Sequence, residues 1–584
     1  MEKLKKVPLP ASTTPLRRVV LRGVATRLAR RSGITLLLLT LSVTRLVAQA
    51  LPPSTAQQID SVFRAWNTPG SPGCAIGIVR NDSLIYAKGY GMANLETGTP
   101  ITPETVFCLA SVSKQFTGYS IVLLARQGKL RLDDDIHTYL PWMPAFKQKI
   151  TIRHLLNHTS GLRDGGNAVL LGGVGFEGLI TQQLALDYIK NATGLNFPPG
   201  TKHVYSNTNY ILLAEIIKQV SGQSVNDFAR ANIFGPLGMT HARYVEQPGL
   251  IIRDRAVSYA KTSQGGYENT FNSVYTVGDG GSYASVRDLA RWVTNFYHPK
   301  AGDQQDMAQL VELGQLLTGQ KLTYAKGIYS NTYRGLTQYT HGGSVASYRT
   351  NIAVLPALNM GIIILANDAT LDPAAKSNEL IDLFLKNRPA ARPAPAAVTA
   401  PSAAPVASTS GAGRLVRGSY LGDDGAQMSF PYLNRQLFLA FGGQQLPLSE
   451  VAPNTFTIVG NPGFRFVFAA EGKDSVVHML SSDTDRRLVK YTAGSLSAGQ
   501  LQPYAGIYHS PELDLFYTLR VHSGRLVASS LRSGSFPLKV LNARTMLLEH
   551  YGAKLSFLRD SRNQLTGFTL SNGGLVAVPF RKLN

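Results

Sequence analysis

Between residues 72 and 100 the chain alternates between strand-like apolar runs and turns: CAIGIV, a polar Arg80-Asn81-Asp82 turn, then SLIYAKGYG. That pattern suits two strands closed by a short turn, so a hairpin is predicted here. At Ser111 the period changes. Val112, Phe116, Tyr119 and Leu123 recur at steps of four, three and four, and Gly128 ends the run. This spacing predicts an amphipathic helix with one buried stripe. Further helices are predicted at about 150–157, 208–220, 225–234 and 285–297, and NIAVLPALNMGIIILAND (351–368) reads as two buried strands around a turn. Strands at both ends with helices between them predict an α/β or α+β domain. Its sheet is built from N- and C-terminal parts and flanked by helices.

Residues 387–413, rich in Pro, Ala and Ser, hold almost no large apolar groups. Such a stretch cannot bury a core and is predicted to be a linker. Beyond it, short alternating runs (RQLFLAF, FRFVF, RLVKY, YTLRV) are punctuated by Gly, Asn and Asp. A weak repeat is visible: Gly418-Ser419-Tyr420 and Gly506-Ile507-Tyr508 open segments about 88 residues apart, and RRLVKY (486–491) and AVPFRK (577–582) close them. Two small antiparallel, barrel-like all-β units are predicted. The expected organisation is a signal peptide at 1–50, a main α/β domain at 51–386, the linker at 387–413, and β units at 414–495 and 496–584.

A chain of 584 residues, 44 % apolar and 16 % charged, suits several folded domains. Its net charge of +22 is unevenly spread: residues 1–50 carry ten Lys or Arg against Glu2, which is +9, leaving +13 elsewhere. No basic run with interleaved aromatics appears in the remainder, so nucleic acid is not an expected partner. The N-terminal excess has its own reading. A basic region to Arg31, the apolar core ITLLLLTLSVT and the small residues of Ala48-Gln49-Ala50 make a signal peptide. The core is about half the ~20 residues of a membrane span, so export to the periplasm or medium is expected, with an uncleaved anchor as the alternative and no stable span after cleavage. Cys74 and Cys108 both sit in apolar settings, and the sequence leaves a disulfide or two buried thiols open.

Candidate chemistry begins at FCLASVSKQFTG (107–118), where Ser111 and Lys114 stand at i and i+3 at a helix start. Side chains so spaced share a face, and a serine hydroxyl becomes a useful nucleophile only when a neighbour takes its proton. Alone, the same spacing describes a capped helix. Two further segments change that reading: Tyr205-Ser206-Asn207 after a Pro-Pro-Gly turn, and His341-Gly342-Gly343-Ser344 opening a strand. Together with ITIRHLLNHTSGL (150–162) and VGDGGSYASVRDLARW (277–292), these segments resemble the serine β-lactamase-like hydrolases. That family includes class C β-lactamases, D-Ala-D-Ala peptidases, D-aminopeptidases and related esterases. The resemblance spans about residues 55–385 and keeps the family's motif order.

The resemblance implies a β-lactamase/transpeptidase-like fold and assigns catalytic roles to Ser111 (acylated nucleophile), Lys114 (proton partner) and Tyr205 (general acid/base). It implies substrate-binding roles for Asn207, His341, Gly343 and Ser344, with the backbone N–H groups of Ser111 and Ser344 as the oxyanion hole. His341 falls where many relatives carry a lysine. A shorter, often neutral side chain there moves the expectation away from β-lactam or peptide carboxylates, towards esters, amides and amino-terminal D-residues. His154 and His158, spaced i and i+4, lack the glutamate of a zinc motif, and GDGG (278–281) reads as a glycine turn. The expected function is therefore an exported serine hydrolase working through an acyl-enzyme, without metal or organic cofactor. Its expected partner is a small-molecule or peptide substrate, with cell-wall peptidoglycan as one source. Alternatives are a β-lactamase or penicillin-binding DD-peptidase, and a non-catalytic binding protein that keeps the fold.

Overall fold

The computed structural model describes residues 51–174, 178–386, 416–441, 444–459, 461–481, 484–531 and 534–583. The expected signal peptide and the Pro/Ala-rich linker lie outside these residues. Residues 51–386 are organised on a six-stranded sheet, antiparallel throughout. In chain order the strands are β1 (Cys74–Arg80), β2 (Ser83–Tyr90), β3 (Tyr329–Tyr333), β4 (Leu336–Val345), β5 (Tyr348–Leu355) and β6 (Met360–Ala366). They lie in the order β3-β4-β5-β6-β1-β2. The β1–β2 hairpin is thus the predicted one, and the NIAVL and MGIIILA runs are the neighbouring β5 and β6.

The period of two explains the layers. Cys74, Ile76 and Ile78 of β1, with Ile362 and Ile364 of β6, face a small core completed by α1 (Pro53–Val62) and a late helix over Pro373–Leu385. Ala75, Val79, Ile363 and Leu365 face the opposite way, into the main core with α2 (Lys114–Arg126), α3 (Asn207–Ser221) and α4 (Val286–Asn295). Two glycines let α4 lie close against the sheet: a Cβ on Gly77 would meet Val286 at 2.5 Å, and one on Gly361 would meet Val293 at 2.3 Å. The helix predicted at 150–157 is a single short helix, Ile152–Leu156. The segment 225–234 begins as a helix and passes into a wider turn over Arg230–Phe234.

Beyond residue 416 the chain is almost entirely β. Residues 418–491 form a nine-stranded sheet that closes on itself where Ser429 pairs with Ala440, around an aromatic core that includes Tyr420, Phe430, Phe466 and Phe468. Residues 506–583 form a second nine-stranded sheet of similar connectivity. The repeat is real in register: Tyr420 pairs with Lys490 in one sheet, and Tyr508 pairs with Lys582 in the other. Both tyrosines are fully buried. The second sheet shares its core with the segment 168–188 of the first domain, since Ala168, Val169, Leu171, Ile180 and Tyr188 pack among its residues.

Candidate active site

Ser111 sits in a tight 3₁₀ turn, Ala110–Ser113, which runs directly into α2 at Lys114. With about three residues per turn, positions i and i+3 align along the axis, and this stacks Lys114 over Ser111. Ala110 holds a positive φ of 48°, a strained conformation for a residue with a side chain, immediately before the serine. Ser113, the second serine of the motif, is turned away. Its hydroxyl donates to the Ala110 carbonyl (2.5 Å), meets the Ser282 hydroxyl (2.6 Å) and accepts from the Ser282 N–H (3.1 Å). It fastens the turn to the strand behind it.

Lys114 is completely buried. Its Nζ donates to Ser111 Oγ (3.2 Å), Asn207 Oδ1 (2.9 Å) and the backbone carbonyl of Asp279 (2.6 Å). Burial lowers its pKa to about 8, against the opposing pull of the Asp279 and Asp164 carboxylates. Asn207 is the first residue of α3, and the Tyr205 ring lies 4.8 Å from Lys114 Nζ. The Tyr205 hydroxyl is hydrogen-bonded to Ser111, while burial pushes the phenol well above its ordinary pKa. Tyr205 is therefore a phenol and not a phenolate in the resting site.

His341 opens the third motif on β4 and is buried. Its Nδ1 lies 2.6 Å from the Gly342 carbonyl and so carries the proton, which leaves Nε2 to accept from Tyr324 Oη at 3.1 Å. Both ring nitrogens are thus engaged within the protein. Burial and the nearby Lys114 lower its pKa to about 3, so it is a neutral wall at working pH. Gly343 is required by contact. A Cβ there would stand 2.2 Å from the Leu109 carbonyl oxygen and 2.4 Å from Thr350 Oγ1, so the bare backbone lies against the Ser111 turn. Ser344 is exposed on the strand beyond it.

The structure thus brings Ser111, Lys114, Tyr205 and Asn207 into one hydrogen-bonded group, with His341 and Gly343 on its border. Three residues of the site lay outside the motif reading. Asp279, read as part of a glycine turn, gives its carbonyl to Lys114 and buries its carboxyl, which accepts from Thr276 Oγ1 (3.2 Å) and is raised by burial to about 6. Asp164 accepts from the Asn207 N–H (2.7 Å) and the Ser206 hydroxyl (3.3 Å). His158 is neutral and buried: its Nδ1 accepts from the Ser206 N–H (3.3 Å) and faces Asn209 Nδ2 (3.0 Å), and its ring packs 4.3 Å from that of Tyr205. His154, its i−4 neighbour, instead closes the helix start through Thr151. Cys74 and Cys108 are free, buried thiols.

Comparison with known proteins agrees with this geometry. The Beta-lactamase family model matches residues 59–386. A D-aminopeptidase of Brucella canis is 26 % identical over 529 residues, covering 88 % of this chain and 96 % of that protein. A D-aminopeptidase of Gluconobacter oxydans is 26 % identical over 312 residues, covering 53 % of this chain and 58 % of its own length. Among solved structures, the octameric penicillin-binding protein homologue from Pyrococcus abyssi superposes with a TM-score of 0.53 at 22 % identity, covering 75 % of this chain and 99 % of that one. The family model covers more than half of the chain, and the protein belongs to the β-lactamase family of serine hydrolases.

Proposed function

We propose that the protein is an exported hydrolase that cleaves an amide next to an amino-terminal D-residue through an acyl-enzyme on Ser111. The observation that carries this reading is the coordination of Lys114. A neutral amine has two N–H groups and one lone pair. Once Lys114 has lost its proton, Asn207 Oδ1 and the Asp279 carbonyl keep its two N–H groups, and the contact that the ammonium donates to Ser111 Oγ becomes one in which the lone pair can accept. Lys114 then takes the Ser111 proton as Oγ bonds to the substrate carbonyl carbon. The carbonyl electrons move to the oxygen, which the backbone N–H groups of Ser111 and Ser344 receive. Tyr205, still protonated and bonded to Ser111, hands its proton to the leaving nitrogen and recovers one from Lys114. Water then splits the ester by the reverse route.

The amine preference rests on charge. Asp164 and Asp279 are buried carboxylates whose fields reach Lys114, and the third motif offers the neutral His341 in place of a fixed cation. That balance favours a substrate bearing an α-ammonium over one bearing a free carboxylate. The D-aminopeptidase relatives support the same class, and the N-terminal basic and apolar segment supports export.

A substrate panel tests the reading: D- and L-alanine p-nitroanilide, p-nitrophenyl butyrate, nitrocefin and a D-Ala-D-Ala peptide. The D-alanine anilide is expected to give the highest kcat/KM. Preferred turnover of nitrocefin or the D-Ala-D-Ala peptide would instead make the protein a β-lactamase or a DD-peptidase.

A further inference from the structure

Besides the shared apolar core, the second C-terminal sheet meets residues 163–196 through the Glu512 carboxylate and one turn, and polar contacts lead from both towards the Tyr-Ser-Asn segment. Glu512, in the turn between the strands Gly506–Ser510 and Leu515–His522, is buried and forms an ion pair with the buried Arg163. Thr193 donates to the same carboxylate through its N–H (3.2 Å) and its hydroxyl (2.5 Å). The turn at 572–577 supplies the rest. Arg163 Nη2 donates to the Val576 carbonyl (2.9 Å), and the Asp164 N–H donates to the Gly574 carbonyl (3.0 Å). Asn196 brackets this turn, donating to Gly574 O (3.0 Å) and accepting from Val576 N (2.8 Å).

From there the path into the site is short. The Arg163 carbonyl accepts from Thr208 Oγ1 (2.8 Å), which in turn accepts from Gly165 N (2.7 Å). Asp164 Oδ2 holds the Asn207 N–H and the Ser206 hydroxyl, and Asn207 Oδ1 holds Lys114. A buried arginine–glutamate pair adds little net stability compared with apolar packing of the same volume, because both charges must be desolvated. What it does supply is a fixed separation and direction between two elements far apart in sequence.

We propose that Glu512, Arg163 and Asp164 are positioning residues for the reaction, and that the second C-terminal sheet is a working part of the catalytic centre. The turn at 572–577 and the Glu512 carboxylate fix Arg163-Asp164. That pair fixes the start of α3, and so the Asn207 oxygen that orients Lys114 towards Ser111. The proposal rests on Ser111 being the acylated residue.

Two substitutions in the full chain test it. Gly574→Ala places a Cβ 2.0 Å from Asn167 Nδ2, a side-chain end that can swing aside, and 3.3 Å from Asp164 Cβ, a contact that shifts the turn against Asp164 by a few tenths of an ångström from a site outside the catalytic group. Glu512→Gln removes the charge that holds Arg163. Glu512→Gln should slow fluorophosphonate labelling of Ser111 and kcat for D-alanine p-nitroanilide by about 10²-fold, as expected for a displacement near 1 Å, and Gly574→Ala should slow both by a smaller factor, while KM changes less in each. A cooperative melt checks that each variant folds. Where one unfolds, Thr193→Val, which deletes only a hydroxyl donor to Glu512, should still slow labelling. Folded variants that label at the wild-type rate would overturn the proposal. Wild-type labelling that survives Ser111→Ala would instead overturn the nucleophile assignment, a distinguishable failure.

Discussion

Alanine in place of Gly343 should disable the site while leaving the sheet intact. The added Cβ would meet the Leu109 carbonyl oxygen at 2.2 Å, Thr350 Oγ1 at 2.4 Å and Ala110 Cβ at 3.1 Å. None of these can easily move aside. Leu109 O already accepts from Thr350 Oγ1 (2.8 Å) and from Val112 N (3.2 Å), and these bonds hold the turn that carries Ser111. Ordinary contact begins near 3.4 Å, so β4 and the Ser111 turn must separate by about 1 Å. A misplacement of that size costs about 10²-fold in rate, or about 2.7 kcal/mol of transition-state stabilisation. The assay is the second-order rate of fluorophosphonate labelling, read by intact mass, beside kcat for D-alanine p-nitroanilide. Gly342→Ala is the matched control, because its Cβ would find nothing closer than Thr350 O at 3.6 Å. Gly342→Ala should label at the wild-type rate and Gly343→Ala about 10²-fold more slowly. Equal rates for the two variants would refute the close-approach argument.

Other consequences can be checked in the same preparation. Activity should rise with pH through about 8, as Lys114 loses its proton and becomes the acceptor for Ser111, and kcat/KM against pH reads this limb directly. Asp279→Asn removes a carboxylate that raises the lysine's pKa, so the same limb should move to lower pH; an unchanged profile would count against Asp279 as a partner of the lysine. Ser113→Ala should leave Ser111 reactive but lower stability by about 1–3 kcal/mol, because the Ser282 N–H and hydroxyl lose their buried partner; urea melts measure this. Cys74 and Cys108 should ignore a disulfide-exchange reagent in the native protein and both react after unfolding, with no effect of reductant on Tm.

The serine–lysine turn, the Tyr-Ser-Asn loop and the His-Gly-Gly-Ser strand were legible because each is a contiguous string whose spacing maps onto one turn or one strand. The β1–β2 hairpin and the strands at 348–366 were legible as short apolar runs bounded by polar turns, because a sheet covered on both faces buries nearly every residue of its central strands. The partners that hold these strings together were not legible. Asp164 acts on Asn207 across 43 positions and Glu512 on Arg163 across 349, and no local pattern records such a pairing. Asp279 was hidden for another reason. Its flanking glycines announce a turn, and it gives Lys114 its backbone carbonyl, an interaction that no side-chain motif encodes. His158 looked like half of a metal pair because i and i+4 positions share a helix face. The helix ends at Leu156, however, and His158 adopts a positive φ of 55°, which takes its ring into the core beneath Tyr205.

The central claim is that Ser111 becomes covalently acylated with Lys114 as its proton acceptor. Intact-mass and peptide-mapping analysis after brief exposure to a fluorophosphonate tests it most directly. The account predicts one adduct per chain on the 107–118 segment, lost in Ser111→Ala and slowed in Lys114→Met. An adduct on another residue, or labelling of Lys114→Met at the wild-type rate, would contradict it.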